Sequence, residues 1–438
     1  MTLLWIGIVI ATFVITVVTL VLLRQIPETM LRMFGMSAFA VGLVLTIIFT
    51  VKHPMNLAVI LLHMTVFVLV AIVADGILTA RERRKRVAAG LPAYGDVEES
   101  PVYVATEESS AYRAAGLPGW TPVTRGRVCR IAAAFVGCAL YLAAGLFSAN
   151  HIVRTEITVT TDKNIPVGQN GTSYCIVQLS DVHLGTTVDL KDWERLLARV
   201  ANEKPDMVVI TGDFTDSSTS REDMVRACEA FDRLPRECAI YYVPGNHDSE
   251  EGKFTPGELQ ENLQKHSVRT LQDEFACPAL NISVLGRKDR SVSRSSMGEF
   301  WKEYEGSFGL GAIFYGADID VTEDSDSGNN ENNENNVLDA KTRFNILLDH
   351  QPNDFDAEAR EGVDLVLCGH THGGFLMPLQ LIAPWMPGLL GEADLLSGTE
   401  KRGGTTFVVS SGVGTWATDF KTGTKSEYVV IYVKRAGE

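Results

Sequence analysis

Cysteine is sparse in this chain of 438 residues, and its distribution excludes two classes of protein. There are seven cysteines, an odd number, and none stands at the short spacing of a thiolate metal site. This argues against a disulfide-stabilised scaffold or a zinc–thiolate module and predicts buried thiols, while one bridge from Cys228 to Cys238 or Cys277 stays open. The cysteines are Cys129, Cys138, Cys175, Cys228, Cys238, Cys277 and Cys368.

Basic residues are also in short supply. The chain has 39 Lys and Arg against 54 Asp and Glu, which gives a net charge of −15 at pH 7. Proteins that bind nucleic acid neutralise phosphates with clustered Lys and Arg, and the C-terminal half has no basic track of that kind. We therefore expect no nucleic-acid partner.

Four stretches contain almost no charge, and each approaches or exceeds the roughly 20 residues that cross a bilayer as a helix. The length of the first stretch, and the stretches that follow it, indicate a retained helix rather than a cleaved signal peptide. The sequence therefore predicts a multi-pass protein anchored in the membrane bilayer. The four predicted transmembrane helices are Leu3–Leu23, Met33–Val51, Met55–Leu78 and Ile131–Phe147.

Basic residues at the ends of these helices predict their orientation. A cluster at 81–86 closes the third span and another at 125–130 opens the fourth, so the segment between them is expected in the cytoplasm. Four spans with this bias place the C-terminal domain on the extracytoplasmic side; without the short fourth span, it would face inward. Within the third span, we expect a neutral His63 bonded to a neighbouring helix and an Asp75 that reaches the interface.

Composition divides the chain into four parts. We predict three transmembrane helices in residues 1–80, a cytoplasmic low-complexity linker in 81–127, the fourth helix in 128–150 and one folded domain in 151–438. The linker repeats the pentapeptide AAGLP and has too few bulky apolar residues for a core. Within the folded domain, an acidic and Asn-rich segment at about 318–337 is predicted to be a disordered insertion.

Five polar motifs in this domain each follow a short apolar run. The runs have the length and β-branched content of strands buried on both faces, and polar groups beyond the ends of such strands converge on one sheet edge. Segments 190–202 and 219–233 carry apolar residues at helical spacing, so strands and helices alternate as in an α/β fold. The motifs are Ser180-Asp181-Val182-His183, Gly212-Asp213-Phe214-Thr215-Asp216, Gly245-Asn246-His247-Asp248, the single His350, and Gly369-His370-Thr371-His372-Gly373.

The motif side chains are imidazoles, carboxylates and one carboxamide. This donor set suits Mn, Fe or Zn better than Ca. Two such ions about 3.5–4 Å apart can hold both the attacking and the leaving oxygen of a displacement at phosphorus, and a carboxylate is the ligand best able to bridge them. We therefore expect two divalent metal ions and hydrolysis of phosphate esters.

In their order, the motifs resemble the calcineurin-like metallophosphoesterase family, whose pattern is D-x-H, G-D-x-x-D, G-N-H-D/E, a single H and G-H-x-H. The resemblance runs from about Ser173 to the C-terminus and is closest to the membrane-anchored branch of the family. It implies a four-layer α/β/β/α sandwich of two packed sheets flanked by helices. It also implies hydrolysis of phosphomonoesters or phosphodiesters by a metal-bridging hydroxide, without a covalent enzyme intermediate.

The resemblance further implies a role for each motif residue. His247 would stand off the metals and stabilise or protonate the leaving oxygen, and Asp216 would orient His247 by accepting a hydrogen bond from its ring. Asp248 is expected only to stabilise its loop. The implied metal ligands are Asp181, His183 and His372 for one ion, Asn246, His350 and His370 for the other, and Asp213 as the bridge.

Two positions depart from the membrane-anchored branch. Phe375 stands where Gln is usual and Lys421 where Arg is common; neither is an implied ligand, so the departures bear on substrate choice. The implied substrates are phosphate esters of the membrane or envelope, such as lipid head groups or lipid-linked sugar phosphates. The alternative is a catalytically weak membrane sensor or binding protein on the same fold, against which the intact Asp213, His247 and Asp216 argue.

The apolar segment Phe375–Leu390, directly after the last motif, has two interpretations. Its side chains pack under the sheet as a folded loop, or exposed residues such as Trp385 and Met386 form a lip that touches the bilayer or an acyl chain. Its three prolines exclude a continuous helix in either case.

Overall fold

The computed structural model describes residues 53, 55–90, 122–249, 252–279, 281–308, 340–374, 376–377, 380 and 393–437. The chain divides into two compact units, Met1–Ala144 and Gly145–Glu438. The first two predicted spans, most of the linker, the insertion at about 318–337 and nearly all of the segment Phe375–Leu390 lie outside the described residues.

Two long helices precede the strands. Helix α1 is Met55–Ala88 and helix α2 is Pro122–Asn150. Each contains a stretch that is long and apolar enough to cross a membrane, at Met55–Lys85 and Ala133–Asn150. These stretches overlap the third and fourth predicted spans.

Helices α1 and α2 run antiparallel to each other. Near one end, the Nε of Arg130 donates to the Asp75 carboxylate at 3.0 Å; near the other, the Tyr141 ring lies 5.6 Å from the His63 ring. Asp75 is thus ion-paired within the hairpin. His63 Nδ1 donates at 2.7 Å to the carbonyl of Val59 on its own helix.

The second unit contains two six-stranded sheets. In chain order the strands are β1 (Val153–Thr161), β2 (Tyr174–Leu179), β3 (Met207–Thr211), β4 (Ala239–Val243), β5 (Val268–Thr270), β6 (Glu274–Ala279), β7 (Ile282–Gly286), β8 (Phe344–Leu348), β9 (Leu365–Cys368), β10 (Gly398–Arg402), β11 (Thr405–Val409) and β12 (Glu427–Arg435). The first sheet has the order β1-β12-β2-β3-β4-β5 and the second β10-β11-β9-β8-β7-β6. Both are mixed, since β12 is antiparallel to β2, β10 to β11, and β6 to β7.

The central strands are apolar because both of their faces are covered. Side chains of β2 alternate between two cores: Val177 packs toward the helices, and Ile176 packs toward the second sheet, where Ile346 of β8 lies in the same core. The helices that cover the sheets are α3 (Leu190–Asn202), α4 (Arg221–Glu229), α5 (Pro256–Lys265), α6 (Met297–Phe308) and α7 (Phe355–Arg360).

The layers follow from which side chains share a core. Trp193 of α3 and Met224 of α4 pack on the outer face of the first sheet, and Phe300 of α6 and Phe355 of α7 pack on the outer face of the second. The predicted α/β fold of two packed sheets flanked by helices is confirmed for this unit. Helix α3 has the predicted bounds, whereas the predicted helix 219–233 is divided into α4 and a 3-10 turn, Ala230–Arg233.

The cysteines that the structure describes are free thiols, and all of them except Cys277 are buried. Within the described residues, Cys228, Cys238 and Cys277 are all free, so the one disulfide that the sequence left open is not formed. Burial raises the pKa of the Cys228 and Cys238 thiols to about 12, which keeps them protonated and unreactive.

Candidate metal centre

The motif residues lie just beyond the carboxyl ends of strands in both sheets. Strands β2, β3 and β4 are parallel neighbours, so their following loops leave the first sheet at one edge. Strands β8 and β9 are parallel neighbours in the second sheet. The two sets of loops meet, since the backbone N–H of His370 donates to the Asp181 carboxylate at 2.9 Å. This is the edge at which open α/β folds hold ligands.

The backbone of these loops is strained. Five of the predicted ligands have a φ between 43° and 69°, in the left-handed region that non-glycine residues rarely adopt. Such a residue costs on the order of 1–3 kcal/mol and persists where the surrounding structure holds it, often at functional sites. The five are Asp181, His183, Asp213, His370 and His372.

Glycines allow the loops to approach each other closely. Gly212 has a φ of 85°, and a Cβ at this position would collide with the His350 ring. A Cβ at Gly369 would collide with Ser180 and with the Asp181 carboxylate. The glycines of the motifs are therefore required by packing, because any side chain would separate the two sets of loops.

One set of donors, here called the first donor group, consists of Asp181, His183 and His372. Their nearest ligand atoms all lie within 4.8 Å of one another, and all three residues are buried. The Nε2 atoms of His183 and His372 are 3.2 Å apart, and His372 Nε2 is 3.7 Å from Asp181 Oδ1.

The second donor group consists of Asp213, His350 and His370, again with ligand atoms within 4.8 Å of one another. His350 Nε2 lies 3.2 Å from Asp213 Oδ2 and 3.3 Å from His370 Nδ1. Asp213 Oδ2 is also 3.6 Å from His183 Nε2, so this one oxygen faces both groups. The side-chain oxygen of Asn246, the remaining predicted ligand, is buried and has no hydrogen-bond partner among the described residues.

Hydrogen bonds fix which nitrogen of His183 and His350 faces the donors. Nδ1 of His183 lies 3.1 Å from the Asp216 carboxylate, and Nδ1 of His350 lies 2.8 Å from the Thr211 carbonyl. Both partners only accept, so each Nδ1 carries a proton and the Nε2 of the neutral ring presents a lone pair. These lone pairs point at the Asp213 carboxylate, an arrangement that is repulsive unless a positive charge lies between them. The donor set and the orphaned Asn246 oxygen therefore fit a cation in this position.

The histidine pKa values show the same preference for positive charge. Burial lowers the pKa of His350, but the charge and hydrogen bond of Asp213 outweigh it and hold the value well above the ordinary one. The pKa of His183 is also raised, because Asp216 and Asp213 outweigh its burial. Burial and the charge of the neighbouring histidine lower the pKa of His370, to about 4, and that of His372. Each donor group thus favours one positive charge, which a proton or a metal ion can supply.

Asp216 has a partner that we did not predict. Its carboxylate lies 3.1 Å from Nδ1 of His183. The cause is the pairing of two loops: the backbone N–H of His183 donates to the Asp213 carbonyl at 3.1 Å, which brings the residues after Asp213 under the His183 ring. A carboxylate on the second nitrogen of a metal-binding histidine fixes its tautomer and strengthens it as a ligand.

His247 lies beside the donors without belonging to either group. Its backbone N–H donates to Asp213 Oδ1 at 2.9 Å, and its ring lies 5.2 Å from the His183 ring. The next residue, Asp248, accepts from the backbone N–H groups of Thr215 and Gly245 at 2.8 and 3.0 Å. The prediction that Asp248 stabilises its loop is confirmed.

Two further residues near the centre, Trp416 and Lys421, were not among the predicted site residues. Trp416 lies 5.2 Å from His247, ring to ring. Lys421 is buried, and its Nζ donates to the carbonyls of Ser411 and Gly412 at 2.6 and 3.0 Å; burial lowers its pKa to about 7. Both follow β11, so the rule that selected loops beyond strand ends would have found them had it been applied to that strand.

Comparison with known proteins bears on residues 175–374, which match the model of the calcineurin-like phosphoesterase family. An uncharacterized metallophosphoesterase from Campylobacter jejuni is 27% identical over 289 residues, which are 66% of this chain and 66% of that protein. A Danio rerio protein described as a transmembrane protein with metallophosphoesterase domain is 29% identical over 65% of this chain and 57% of its own length. The match covers less than two thirds of the length of each relative.

Solved structures give a more distant similarity. A crystal structure of a dimetal phosphatase from Danio rerio matches 60% of this chain and 93% of its own chain, with 14% sequence identity and a TM-score of 0.33. The family model ends at Gly374, so the loop that carries Trp416 and Lys421 lies beyond it.

Proposed function

We propose that this chain is a membrane-anchored hydrolase of phosphate esters that uses two divalent ions, Mn, Fe or Zn. The match of residues 175–374 to the calcineurin-like phosphoesterase family, which the motifs predicted, supports this proposal. The observation that carries this proposal is the position of one oxygen, Asp213 Oδ2. It lies 3.6 Å from His183 Nε2 in the first donor group and 3.2 Å from His350 Nε2 in the second. A single carboxylate shared by two adjacent groups of nitrogen and oxygen donors suits a bridged metal pair.

In this proposal the donor groups divide the ligands as the motifs predicted. When bound, two such ions would lower the pKa of a shared water to about 7 and neutralise the charge of the phosphate. The orphaned oxygen of Asn246 would complete the second group. The ligands would be Asp181, His183 and His372 for the first ion, His350, His370 and Asn246 for the second, and Asp213 for both.

His247 is the proposed catalytic residue. The hydrogen bond from its backbone N–H to Asp213 ties its main chain to the proposed bridge, so its ring is held next to the two groups. From there it would donate a hydrogen bond or a proton to the oxygen of the leaving group. Asp216 would act on the first ion through His183, since its carboxylate contacts that ring.

The test uses the full-length protein in detergent, stripped of metal with a chelator and then given Mn²⁺, Fe²⁺ or Zn²⁺ separately. We expect metal-dependent hydrolysis of p-nitrophenyl phosphate, bis-p-nitrophenyl phosphate or both, and a loss of about 10²-fold or more in His247→Ala, the scale of one general acid. His266→Ala is the matched control, because His266 pairs with Asp232 at the surface. Protein that binds two ions but hydrolyses neither ester would favour the binding or sensor alternative, and protein that binds none would reject the proposal.

We further propose that four spans anchor the protein and that the phosphoesterase domain faces away from the cytoplasm. The antiparallel packing of α1 and α2 supports this, because it brings the basic segment 81–86 and Arg130 to the same end of the hairpin. Esters of membrane lipids or envelope polymers would then be the nearest substrates. The hydrolysis of lipid phosphates in vesicles by the full-length protein tests that choice.

Topology is testable with two engineered cysteines at exposed positions, Lys401→Cys in the domain and Lys85→Cys in the basic segment. A membrane-impermeant maleimide applied to intact cells is expected to label the first and to spare the second. Labelling of Lys85→Cys alone would reverse the assignment. The wild-type protein controls for labelling of its own cysteines.

A further inference from the structure

The orientation of the His247 ring matters for its proposed role at the leaving oxygen. The backbone N–H of His247 donates to Asp213 Oδ1 at 2.9 Å, which holds its main chain beside the donors. The side-chain torsions of His247 are a separate degree of freedom. A group that acts on a leaving oxygen must hold its ring in one orientation.

Two aromatic rings flank the imidazole of His247. The His183 ring lies 5.2 Å away at an interplanar angle of 70°, an edge-to-face arrangement. The indole of Trp416 lies 5.2 Å away at 34°. Both separations fall in the range of favourable aromatic pairs. Contacts of this kind restrict rotation of the ring.

Trp416 is itself held in place by a tight turn. The Thr187 hydroxyl accepts from the backbone N–H of Thr415 at 3.1 Å, and the backbone N–H of Thr418 donates to the Trp416 carbonyl at 2.8 Å. Between them, Ala417 has a φ of 58°, a left-handed conformation that is unfavourable for alanine. Strain maintained by its surroundings in this way is typical of functional loops. Thr187 belongs to the loop that carries His183, so the turn is tied to the metal centre.

We propose that Trp416 is a positioning residue that holds the His247 imidazole against the His183 ring, in the orientation that serves the leaving oxygen. This inference rests on the proposed phosphoesterase function and adds a residue outside the five motifs. Trp416 is half-buried, so one part of the indole packs against the turn and His247 while another part stays accessible. Its effect is expected on the rate of the reaction rather than on metal binding.

The first experiment is a double-mutant cycle on the full-length, metal-loaded protein in detergent. Trp416→Ala is expected to lower kcat roughly three- to tenfold, the scale of an aromatic pair, with little change in KM. Trp416→Phe, which keeps an aromatic face, should retain at least half of the activity. In a His247→Ala background, Trp416→Ala should have no further effect, because the residue acts through His247.

The leaving group supplies a second readout. Phenyl phosphate needs help at its leaving oxygen more than p-nitrophenyl phosphate does, so Trp416→Ala should slow hydrolysis of the phenyl ester more. Equal losses on both esters, or the same loss from Trp416→Ala with and without His247, would mean a general structural role and would overturn the inference. Metal content is measured for each variant, and a loss of metal in Trp416→Ala would overturn it as well.

A measurement without turnover separates this inference from the proposed function. In protein with isotope-labelled histidine, the ring signals of His247 are identified by their absence in His247→Ala. We expect these signals to shift in Trp416→Ala, because the neighbouring indole is lost and the ring is released. Wild-type protein that hydrolyses no ester would reject the proposed function. Unshifted His247 signals would reject the role of Trp416 whatever the activity.

Discussion

The first and second donor groups contain the same kinds of side chain but differ in what lies behind them. His183 in the first group is backed by the Asp216 carboxylate, and His350 in the second is backed by the neutral carbonyl of Thr211. All members of the first group are buried, whereas His370 in the second is only partly so. The comparison teaches that two sites with similar ligands can be tuned separately through the second nitrogen of one histidine.

Charged residues near each group add to the difference. The positive charge of Lys421 lowers the pKa of His372 in the first group, after burial and the charge of His183. The buried Asp289 acts on the second group, where its charge raises the pKa of His350. We therefore expect the second group to bind both protons and metal more strongly than the first group does.

The largest effect is expected from Asp213→Asn. This substitution should affect both groups together, because Asp213 Oδ2 faces both of them. Losing the charge of the shared carboxylate should weaken the binding of both ions. It should also lower kcat by about 10³-fold, since metal catalysis supplies several kcal/mol. The checks are metal content by mass spectrometry and hydrolysis of bis-p-nitrophenyl phosphate. The matched control is Asp232→Asn, a surface aspartate paired with His266. Full occupancy of both sites with unchanged turnover would contradict the role of Asp213.

Asp216→Asn should separate the two groups. Without the carboxylate behind His183, metal affinity of the first group is expected to fall about 10- to 100-fold, the usual effect of such a partner. The second group, whose His350 bonds to a backbone carbonyl, should keep its affinity. Stepwise Mn²⁺ titration of the metal-free protein followed by calorimetry would show one weakened site of two. An equal loss at both sites would show that Asp216 acts on the whole loop and not on His183.

Lowering the pH should affect metal binding by the two groups differently. Both His183 and His350 have raised pKa values, and Asp213 raises that of His350 well above the ordinary value. Below the pKa of such a histidine, each metal ion must displace one proton, so affinity falls about tenfold per pH unit; above it, no proton is displaced. The decline as the pH falls from 8 to 6 should therefore begin at the higher pH in the second group.

This pH dependence is measurable in variants that each retain one intact group. His372→Ala removes a first-group donor and reports on the second, and His370→Ala does the reverse. Metal binding is followed at each pH in both variants. Loss of metal from the first group at a higher pH than from the second would contradict the assignment of the more strongly raised pKa to His350.

Much of the fold and site could be predicted because the required information is local in the sequence. Apolar runs predicted β2, β3, β4, β8 and β9, and the spacing of Trp193 and Val200 predicted α3 with its bounds. The edge strand β10 was missed because its residues are largely exposed and carry no apolar pattern. Strand β1 was missed for a similar reason. Val159 is its only buried residue, so β1 lacks the continuous apolar run that marks a central strand.

Other features depend on contacts that no local pattern encodes. Asp216 and His247 both belong to recognised motifs, yet the pairing of His183 with the Asp213 carbonyl decides that Asp216 contacts His183. Trp416 lies far from the motifs in sequence and meets His247 only through the fold. Spacing thus predicts which side chains reach the sheet edge, while loop pairing determines which of them touch.

The smallest effect expected is from Lys421, which lies behind the first group only. Its Nζ donates to the Gly412 carbonyl at 3.0 Å, and a Cβ on Gly412 would lie 2.9 Å from Cβ of Asp181 and 3.3 Å from Nδ1 of His372. Lys421→Met leaves buried carbonyls without a donor, so we expect a loss of about 1–3 kcal/mol in the free energy of unfolding. The first group should lose metal affinity by a few-fold at most, since its ligands remain.

The matched control is Lys425→Met, because Lys425 is half-exposed and its Nζ donates to the Thr155 hydroxyl at 2.8 Å and pairs with Glu427 at 3.3 Å. Denaturation of both variants in detergent, with metal titration, checks the prediction. Lys421→Arg should recover most of the stability if the lysine serves as a donor to these carbonyls. Equal losses in the variants at 421 and 425, or a loss of affinity shared by the second group, would mean that Lys421 supports the fold in general. The first group would then owe its difference to Asp216 alone.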